Sequence, residues 1–568
     1  MMVSLDPGTF DPARMGDASK SRVYFLILVA CTTLIFLTSI GRRDLWTPDE
    51  PRVAGIMAEM ALDGNLVVPM LNHKPFLEKP PLYFWFGAAI LNFMGETAFT
   101  ARLPSALAAI LGVFAVFLLA RSMGFSPFTA LLSGFVLTTS AEYWQLGRVC
   151  LIDMLLCCFI TLAMAAFFHA GHGGARSRWW YIVFVGFLSC AVLTKGLVGL
   201  AIPLSALGMW LLISGRLSIR SVSALFAASV LCLIPAGIWV LFLYNKLGWE
   251  GVYEAVWVNN FCRFSGSRAS HVQPFYYYLT SFPLQFLPWT LFIPFAAIHL
   301  FRKVRRAGRD KASLFILAWM AAPFILLSLS AGKRGLYMLP LYPAAALWVG
   351  SALGPVLECG KESGKEGGKP FLIPLGMLAG ITLLIGVAFC GMGIYFDQSI
   401  LLCLVMSVPC FALGIWAVRR FIRKEATSAF KAVGLALIVF FITVGYGIYP
   451  LFNPIKSFSP IFDECKQLLA EGYEIGLHNS RESVSGGAVF YLNRHFPELH
   501  DEEELRRFLG TGEKTIALSE EKVLPESPGI RIVKSFIVGK RAYVFFDERG
   551  PKVAGSPERS ATHDAVDG

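Results

Sequence analysis

The sequence predicts an α-helical polytopic membrane protein that carries a small α/β domain near its C-terminal end. Of its 568 residues, 55% are hydrophobic and only 16% are charged, and the mean hydropathy is +0.59. Soluble domains average about 25% charged residues, so this balance favours a chain that exposes much of its surface to lipid. Long apolar runs recur as far as Pro450, and shorter strand-like runs follow them.

The apolar runs predict about 13 membrane-spanning helices, because about 20 helical residues are needed to cross a hydrocarbon core about 30 Å thick. The first run is too long for the core of a signal peptide and lacks a small-residue cleavage site, so we expect it to be a retained anchor. The predicted spans cover residues 23–40, 103–120, 128–145, 151–170, 180–195, 198–214, 222–244, 277–300, 313–330, 336–352, 371–394, 399–418 and 430–450.

A further apolar stretch, from Pro81 to Met94, is too short to be counted as a span. Its fourteen or so residues would reach only about 21 Å as a helix. If it does not cross, the Lys/Arg-rich turns between later spans lie on the side of the N-terminus, as the positive-inside rule requires; a crossing would reverse that bias. We therefore expect an interfacial or re-entrant helix here, a cytoplasmic tail over residues 1–22 and an outer first loop over residues 41–102.

Composition also predicts the division into domains. Residues 23–450 form the membrane domain, and residues 451–550 read as an α/β domain, because a helix-like run such as "PIFDECKQLLAEG" alternates with strand-like runs such as "YEIGLH" and "GIRIVKSFIV". The topology places this domain on the outer face of the membrane. Residues 551–568 are polar and are expected to be disordered.

Charge and cysteine content limit the partners. Most of the 12 cysteines fall in apolar segments without a regular spacing, so they read as small buried side chains and not as disulfides or a zinc finger. The net charge is +11, but in a membrane protein the location of Lys and Arg reports on orientation. Membrane lipid is therefore an expected partner, and nucleic acid is not.

The outer loops gather the ionisable side chains that could perform chemistry. A charge at bilayer depth costs roughly 2.5–3.5 kcal/mol, so Asp153, just inside an apolar run, needs a partner or a polar cavity. A reaction at a lipid-linked phosphate would use such a mixture, because basic groups must hold the leaving phosphate while a carboxylate takes a proton from the acceptor. The candidates are Asp49, Glu50, Arg52, His73, Glu78, Lys79, Asp153, His271, Lys333 and Arg334.

The predicted roles have simpler alternatives. Asp49 would take the acceptor proton, and Glu78 would orient the acceptor or hold a divalent metal ion. The predicted donor-phosphate set is Arg52, Lys79, Lys333 and Arg334. In the alternative reading, Asp49 and Glu50 are an acid pair at a helix N-terminus, and Lys79 is an interfacial lysine that extends towards water.

Six motifs together resemble the C-type membrane glycosyltransferases. The motifs are "DLWTPDEPRVAGIMAEM", "HKPFLEKPPLYFW", "ARLPSALAAILG", "RVCLIDML", "HVQPFYYYL" and "GKRGLYMLPLYPA". They are most similar to the bacterial branch that contains the lipid A 4-amino-4-deoxy-L-arabinose transferases, which is related to the protein O-mannosyltransferases. The resemblance implies a C-type glycosyltransferase fold in the bacterial inner membrane. It also implies sugar transfer from a polyprenyl (undecaprenyl) phosphate donor to lipid A or a related lipopolysaccharide component, at the periplasmic face.

The resemblance also assigns roles to matching positions. Asp49 matches the family's first-loop acid, which faces donor and acceptor, and Asp153 matches the acid of the second outer loop, so both are expected to be catalytic together with Glu78. Lys79 is similar to a lysine that binds the lipid phosphate. Glu78 and His271 match the positions that would hold a divalent metal ion. The pair Lys333 and Arg334 stands where the family has one basic residue, so either residue could contact phosphate.

Two alternatives to this function stay open. The acceptor could be a protein, as in O-mannosyltransferases, instead of lipid A. A flippase or transporter of lipid-linked sugars would also use basic interfacial residues, but it predicts ionisable groups at the bilayer midplane and an internal repeat. The sequence instead concentrates these groups at one face and shows no repeat, which favours the enzyme.

Overall fold

The structure is a computed structural model that describes residues 12–171, 177–262, 271–307, 310–358, 368–395, 400–512, 514–525 and 529–548. The predicted disordered tail at 551–568 lies outside these residues. In chain order, the helices before the C-terminal domain are α1 (Pro12–Leu37), α2 (Asp49–Asp63), α3 (Leu82–Met94), α4 (Ala98–Ser122), α5 (Pro127–Thr138), α6 (Ala141–Leu146), α7 (Ile152–Ala170), α8 (Ser177–Lys195), α9 (Val198–Ile213), α10 (Ile219–Val252), α11 (Tyr277–Gln285), α12 (Ile293–Ala307), α13 (Lys311–Leu329), α14 (Tyr342–Glu358), α15 (Gly368–Tyr395), α16 (Ile400–Ile422) and α17 (Ala426–Thr443). Short 3-10 or π-helical segments at Tyr253–Cys262, Trp289–Phe292, Gly335–Leu341, Val444–Ile448 and Tyr449–Phe452 extend or connect them.

The chain is a polytopic membrane protein, as predicted. In the part of the chain that the structure describes, ten helices are long and apolar enough to cross a membrane, or eleven if a bent pair counts as one span. The sequence predicts about 13 spans, two or three more than this criterion of length and composition counts. The difference arises from α5 and α9, which are apolar but short, and from a 108° bend between α11 and the helical segment Trp289–Lys303.

Local chemistry accompanies the interruptions of the apolar runs at 128–145 and 277–300. The apolar run at 128–145 is interrupted after α5, where the hydroxyls of Thr139 and Ser140 donate to backbone carbonyls four residues earlier. Such bonds offer the backbone an alternative to a continued helix. Between α11 and Trp289, Pro288 removes a backbone donor and ends the first helix.

The first outer loop contains two helices and a small hairpin. Helix α2 ends at Gly64, which has the left-handed φ of +67° that glycine adopts without strain. Strands β1 (Met70–Leu71) and β2 (Lys74–Pro75) form an antiparallel pair. Helix α3, with 13 residues, matches the short apolar helix predicted at 81–94.

The C-terminal domain is an α/β unit, as predicted. Its elements are α18 (Asn453–Lys456), α19 (Ser459–Ala470), β3 (Glu474–His478), α20 (Glu482–Leu492), β4 (Glu498–Leu499), α21 (Glu502–Leu509), β5 (Thr515–Glu520), a 3-10 turn (Glu521–Val523), β6 (Ile530–Val538) and β7 (Arg541–Glu548). The sheet has the order β4-β3-β5-β7-β6. The pairs β3–β4 and β3–β5 are parallel, whereas β5–β7 and β6–β7 are antiparallel.

The C-terminal domain packs directly on the first outer loop. Helices α2 and α20 cross at Gly55 and Gly486, where a Cβ atom on Gly55 would lie 2.3 Å from the Gly486 Cα atom. Beside this crossing, the Asn72 side chain donates to the Phe496 carbonyl at 2.9 Å and accepts from the Phe496 N–H at 3.0 Å. The two glycines thus allow the backbones to approach, and the loop and the domain form one continuous surface.

Candidate active site

Asp49 lies at the first position of α2, between two arginines that approach from different parts of the chain. One carboxylate oxygen, Oδ1, accepts from Arg52 Nη2 at 2.8 Å, and the other, Oδ2, accepts from Arg334 Nη2 at 2.8 Å. Arg52 also pairs with Glu482 of the C-terminal domain, at 2.8 Å. The side chains of Arg52 and Arg334 remain 23% and 34% exposed, so a charged ligand can reach this cluster.

Electrostatics keep Arg334 charged in this position. Burial alone would lower the pKa of Arg334, but the hydrogen bond and the charge of Asp49 outweigh it and raise the pKa above its ordinary value. Asp153 also contributes to this rise through its negative charge, which shows that it lies close enough to Arg334 to act on it. We refer to Asp49, Arg52, Arg334 and Glu482 as the Asp49 cluster.

Asp153 has an ionic partner, as expected for a charged side chain whose placement at bilayer depth costs free energy. It lies in the first turn of α7, and Lys195, the last residue of α8, donates directly to its carboxylate. Both side chains are largely buried. The Lys195 ammonium also lies 4.5 Å from the centre of the Tyr337 ring, at a distance typical of a cation–π contact.

The neighbour of Asp49 has a different environment. Glu50 is buried, and Arg102 binds its carboxylate through two nitrogens, Nε at 2.7 Å and Nη2 at 3.0 Å. Arg43 donates to the same carboxylate, as do the backbone N–H groups of Trp46 and Cys150, each at 3.0 Å. Burial would raise the pKa of Glu50, but the charges and hydrogen bonds of Arg102 and Arg43 outweigh it and hold the pKa below its ordinary value. We call Glu50, Arg43 and Arg102 the Glu50 cluster.

The structure distinguishes between the two basic residues of the 333–334 pair. Lys333 is buried, and its ammonium donates to the carbonyls of Gln273 and Ser330. Of these two residues, Arg334 is the one whose side chain donates to the Asp49 carboxylate in the described contacts. His271 lies beside the same turn, because its carbonyl accepts from the Lys333 N–H at 3.0 Å, but its side chain is exposed.

Glu78 and Lys79 lie in the partly exposed segment that precedes α3. The Lys79 ammonium donates to the Glu78 carbonyl at 2.9 Å, and the neighbouring Leu77 carbonyl accepts from Asn259 at 3.1 Å. The segment is thereby attached to the π-helical turn after α10. The roles of Glu78 and Lys79 in acceptor and phosphate binding stay predictions.

The metal-binding roles of Glu78 and His271 stay predictions. In the described part of the chain, the group of three or more side chains whose ligand atoms lie within 4.8 Å of one another is Glu59, Asp63, His73 and His495, and it does not include them.

The sequence did not predict three of the charged residues that form ion pairs around Asp49, Glu50 and Asp153. Arg102 is completely buried inside an apolar helix, and the cost of a buried charge was the signal that could have identified it. In the sequence, Lys195 was recognised only as a charged residue at the end of a predicted membrane span. Glu482 had no signal at all, because the contact joins residues 430 positions apart.

Comparisons with known proteins agree with the motifs. The family model described as dolichyl-phosphate-mannose-protein mannosyltransferase matches residues 21–250. An undecaprenyl phosphate-alpha-4-amino-4-deoxy-L-arabinose arabinosyl transferase from Edwardsiella ictaluri is 30% identical over 365 residues, which cover 63% of this chain and 64% of that protein. The protein of the same name, numbered 2, from Proteus mirabilis is 29% identical over 58% of this chain and 59% of its own length. The aligned part thus spans about three-fifths of these two relatives.

Two solved structures share the fold over almost the whole chain. ArnT from Cupriavidus metallidurans bound to undecaprenyl phosphate has a TM-score of 0.72 at 19% identity and covers 93% of this chain and 99% of that chain. The apo state of the same protein has a TM-score of 0.73 at 20% identity. The resemblance to C-type membrane glycosyltransferases of the aminoarabinose transferase branch, related to O-mannosyltransferases, is therefore confirmed, and so is the predicted fold.

Proposed function

We propose that this chain, which resembles the aminoarabinose transferases in sequence and fold, transfers a sugar from an undecaprenyl phosphate donor to lipid A or a related lipopolysaccharide component. The reaction takes place at the periplasmic face of the bacterial inner membrane. The names of the relatives support the donor and the sugar class. The positive-inside topology supports the outer location of the first loop and the C-terminal domain over residues 451–550.

The observation that carries the proposal is the position of Asp49 between Arg52 and Arg334. A carboxylate and two guanidinium groups meet in a partly exposed cluster on the loop predicted to face donor and acceptor. Guanidinium groups bind phosphate through paired N–H donors, so the arginines suit the phosphate of a lipid carrier. A purely structural ion pair does not require this access.

The chemistry follows from these groups. The bond between the anomeric carbon of the sugar and the phosphate oxygen breaks, and its electron pair stays on undecaprenyl phosphate. A bond forms between the anomeric carbon and an acceptor oxygen. Negative charge grows on the leaving phosphate, and Arg334 and Arg52 stabilise it by exchanging Asp49 for phosphate as their partner. This exchange frees the Asp49 carboxylate next to the reacting centre.

The acceptor determines what Asp49 must do. A hydroxyl acceptor loses its proton as the new bond forms, and Asp49 takes that proton as a general base. A phosphate group on lipid A is already ionised near neutral pH and needs positioning more than deprotonation. The second candidate function, O-mannosyl-type transfer to a hydroxyl of a protein, is supported by the mannosyltransferase model that matches residues 21–250.

The test measures transfer directly. Full-length protein in lipid nanodiscs is incubated with radiolabelled undecaprenyl phosphate-4-amino-4-deoxy-L-arabinose, with lipid A or an unstructured Ser/Thr-rich protein as acceptor. We expect label on lipid A with wild type, loss of transfer in Asp49→Asn and Arg334→Ala, and full transfer in Arg507→Ala. Arg507 is a suitable control because it forms an exposed helical pair with Glu503, away from the Asp49 cluster.

Each other outcome changes the assignment. Label on the protein acceptor, above all with an undecaprenyl phosphate-mannose donor, would replace lipid A by protein. No transfer to either acceptor, together with movement of labelled donor across a liposome bilayer at a rate that Arg334→Ala reduces, would replace the enzyme by a flippase. Transfer that persists unchanged in Asp49→Asn would refute the assigned role of the Asp49 cluster.

A further inference from the structure

Four side chains that can bind a metal ion meet where the C-terminal domain covers the first outer loop. They are Glu59, Asp63, His73 and His495. One ligand atom from each of them lies within 4.8 Å of the others. Three residues come from the first loop and one from the C-terminal domain, and none of them belongs to the Asp49 cluster or to the predicted Glu78 and His271 pair.

The backbone directs these side chains to one point. Glu59 and Asp63 are four residues apart on α2, so they lie on the same face of the helix, one turn from each other. His73 is the second of the two turn residues between β1 and β2 and has a φ of +66°, a left-handed conformation that a residue with a side chain rarely adopts. His495 lies in the loop after α20, the helix that packs on α2.

Glu59 is the buried anchor of this group. Its carboxylate accepts backbone N–H groups from Asn72 and from His73, the latter at 2.8 Å. Among the described residues, its ion-pair partner is His495, at 3.7 Å, and no lysine or arginine pairs with it. Burial raises the pKa of Glu59, and the backbone hydrogen bonds offset this only in part. A cation at this point would compensate the buried charge.

His495 supplies the second observation. Its Nε2 atom lies 3.0 Å from Asp63 Oδ1, but its buried Nδ1 atom has no hydrogen-bond partner in the described structure. The distance from Nδ1 to Glu59 Oε1 is 3.7 Å, which is too long for a hydrogen bond. The His73 ring is stacked on the His495 ring with 3.6 Å between their centres, and one nitrogen of each ring lies within 4.8 Å of a carboxylate oxygen of Glu59 and of Asp63.

These donors suit a transition-metal ion of the zinc class. Neutral imidazole nitrogens and carboxylate oxygens are zinc ligands, whereas calcium and magnesium prefer sites made of oxygen alone. Two carboxylates also neutralise a divalent ion. Zinc bonds of about 2.0–2.2 Å in a tetrahedron place neighbouring ligand atoms about 3.3–3.5 Å apart, so the four side chains must move inwards by about 1 Å.

We propose that Glu59, Asp63, His73 and His495 bind one divalent transition-metal ion of the zinc class, which fastens the C-terminal domain to the first outer loop. The ion is structural and takes no part in sugar transfer. It fixes α2 at its C-terminal end, and the same helix presents Asp49 at its N-terminal end. The proposal does not depend on which sugar or acceptor the protein uses.

Metal content is the direct test. Full-length protein without a polyhistidine tag is stripped with a chelator in nanodiscs, titrated with zinc chloride against a chromophoric competitor, desalted and analysed by inductively coupled plasma mass spectrometry. We expect Asp63→Asn and His495→Gln each to lose one zinc equivalent or to bind it at least tenfold more weakly than wild type. Asp63 is partly exposed at the end of α2, so its variant tests the site even if His495→Gln does not fold.

A matched control lies at the same junction. His500 also joins the first loop to the C-terminal domain, with Nε2 2.7 Å from the Lys74 ammonium, but it is outside the four-residue group. His500→Gln should keep the zinc equivalent, and so should a double variant with Glu78→Gln and His271→Gln. Zinc should also slow hydrogen–deuterium exchange over residues 482–499 in wild type and in His500→Gln, but not in His495→Gln.

Three results would overturn the proposal. The stripped wild type could take up no zinc at micromolar concentration, or Asp63→Asn and His495→Gln could bind zinc as tightly as wild type. The bound equivalent could also disappear only in the Glu78 and His271 double variant, which would assign it to that pair. Displacement of zinc by equimolar calcium would refute the assigned class of ion.

Discussion

Asp49 and Glu50 are adjacent acids in the same helical turn, yet their surroundings differ. Glu50 is buried and receives two arginines and two backbone N–H groups. Asp49 is held by two arginines whose side chains remain partly exposed. One carboxylate has all its hydrogen-bonding capacity satisfied inside the protein, and the other keeps partners that a phosphate can take over.

This difference allows one short segment to combine a stabilising carboxylate with the carboxylate that we propose is reactive. The Glu50 cluster joins the end of α1, the start of α2 and α4, because Arg102 also donates to the carbonyls of Ile40, Arg43 and Asp44. It therefore fixes the backbone that carries Asp49. A reactive carboxylate needs such a support, since loosely held groups lose the geometry that catalysis depends on.

The largest effect is expected from Glu50→Gln. Removal of one member of a buried ion pair leaves uncompensated charges on Arg43 and Arg102, and such changes cost about 3–5 kcal/mol. We expect the variant to accumulate poorly and to melt well below wild type when thermal unfolding is followed by fluorescence-detected size exclusion. Asp49→Asn is the control with the adjacent acid, and its melting temperature should stay close to that of wild type.

The pH dependence of thermal stability should report the contribution of the Glu50 cluster in the wild-type protein. The pKa of Glu50 in the folded state is below its ordinary value of 4.5. Its contribution to stability is therefore fully present above about pH 4.5 and is lost as the pH falls further, towards the pKa of the folded state. Wild type should lose more thermal stability than Glu50→Gln between pH 6 and pH 3.5. Parallel losses in the two proteins would contradict a stabilising role of the ionised carboxylate.

Asp49→Asn should have the next largest effect, but on rate and not on stability. With a hydroxyl acceptor, loss of the general base should lower the rate by about 10²–10⁴-fold. With a lipid A phosphate, which needs no deprotonation, the loss should be smaller and should arise from the altered positions of Arg52 and Arg334. Transfer of radiolabel at saturating donor is the measurement, and folded yield is the control. If the variant instead unfolds while its rate per folded molecule is normal, Asp49 is a structural acid like Glu50, and the contrast between the two disappears.

Arg334→Lys should have a smaller effect. Lysine keeps the positive charge but lacks the planar pair of N–H donors that fits a phosphate or carboxylate. We expect roughly a tenfold loss of kcat/KM, about 1.4 kcal/mol, that includes a lower kcat, because Arg334 stabilises the charge that grows on the leaving phosphate. A loss that appears only in the KM for the donor would mean that Arg334 binds the donor but does not stabilise that charge.

The sequence predicted the fold class, the C-terminal α/β domain and the short helix at 81–94, because hydropathy and strand patterns are local signals. Among the described residues, ten or eleven helices meet the length criterion for a span against about 13 predicted, because hydropathy reports neither the short length of α5 and α9 nor the bend near Pro288. Asp153 was identified as a residue that needs a partner from the cost of burying its charge, and the structure supplies Lys195.

The contrast between Asp49 and Glu50 was not accessible from the sequence. Both acids follow Pro48 and fit the start of a helix equally well. Their environments depend on Arg102, which is 52 residues from Glu50, and on Arg334, which is 285 residues from Asp49. Only the tertiary fold determines which arginine reaches which carboxylate.

The smallest effect is expected from Glu482→Gln, and it tests how far the Asp49 cluster extends. Glu482 pairs with Arg52 but is 54% exposed, and exposed ion pairs contribute about 0–1 kcal/mol. We expect less than a threefold change in transfer rate, beside an unchanged Arg507→Ala control. A loss comparable to that of Asp49→Asn would mean that the C-terminal domain positions Arg52 for the reaction. The reactive region would then be built across the loop and the domain, whereas the Glu50 cluster would remain confined to the loop and the helices beneath it.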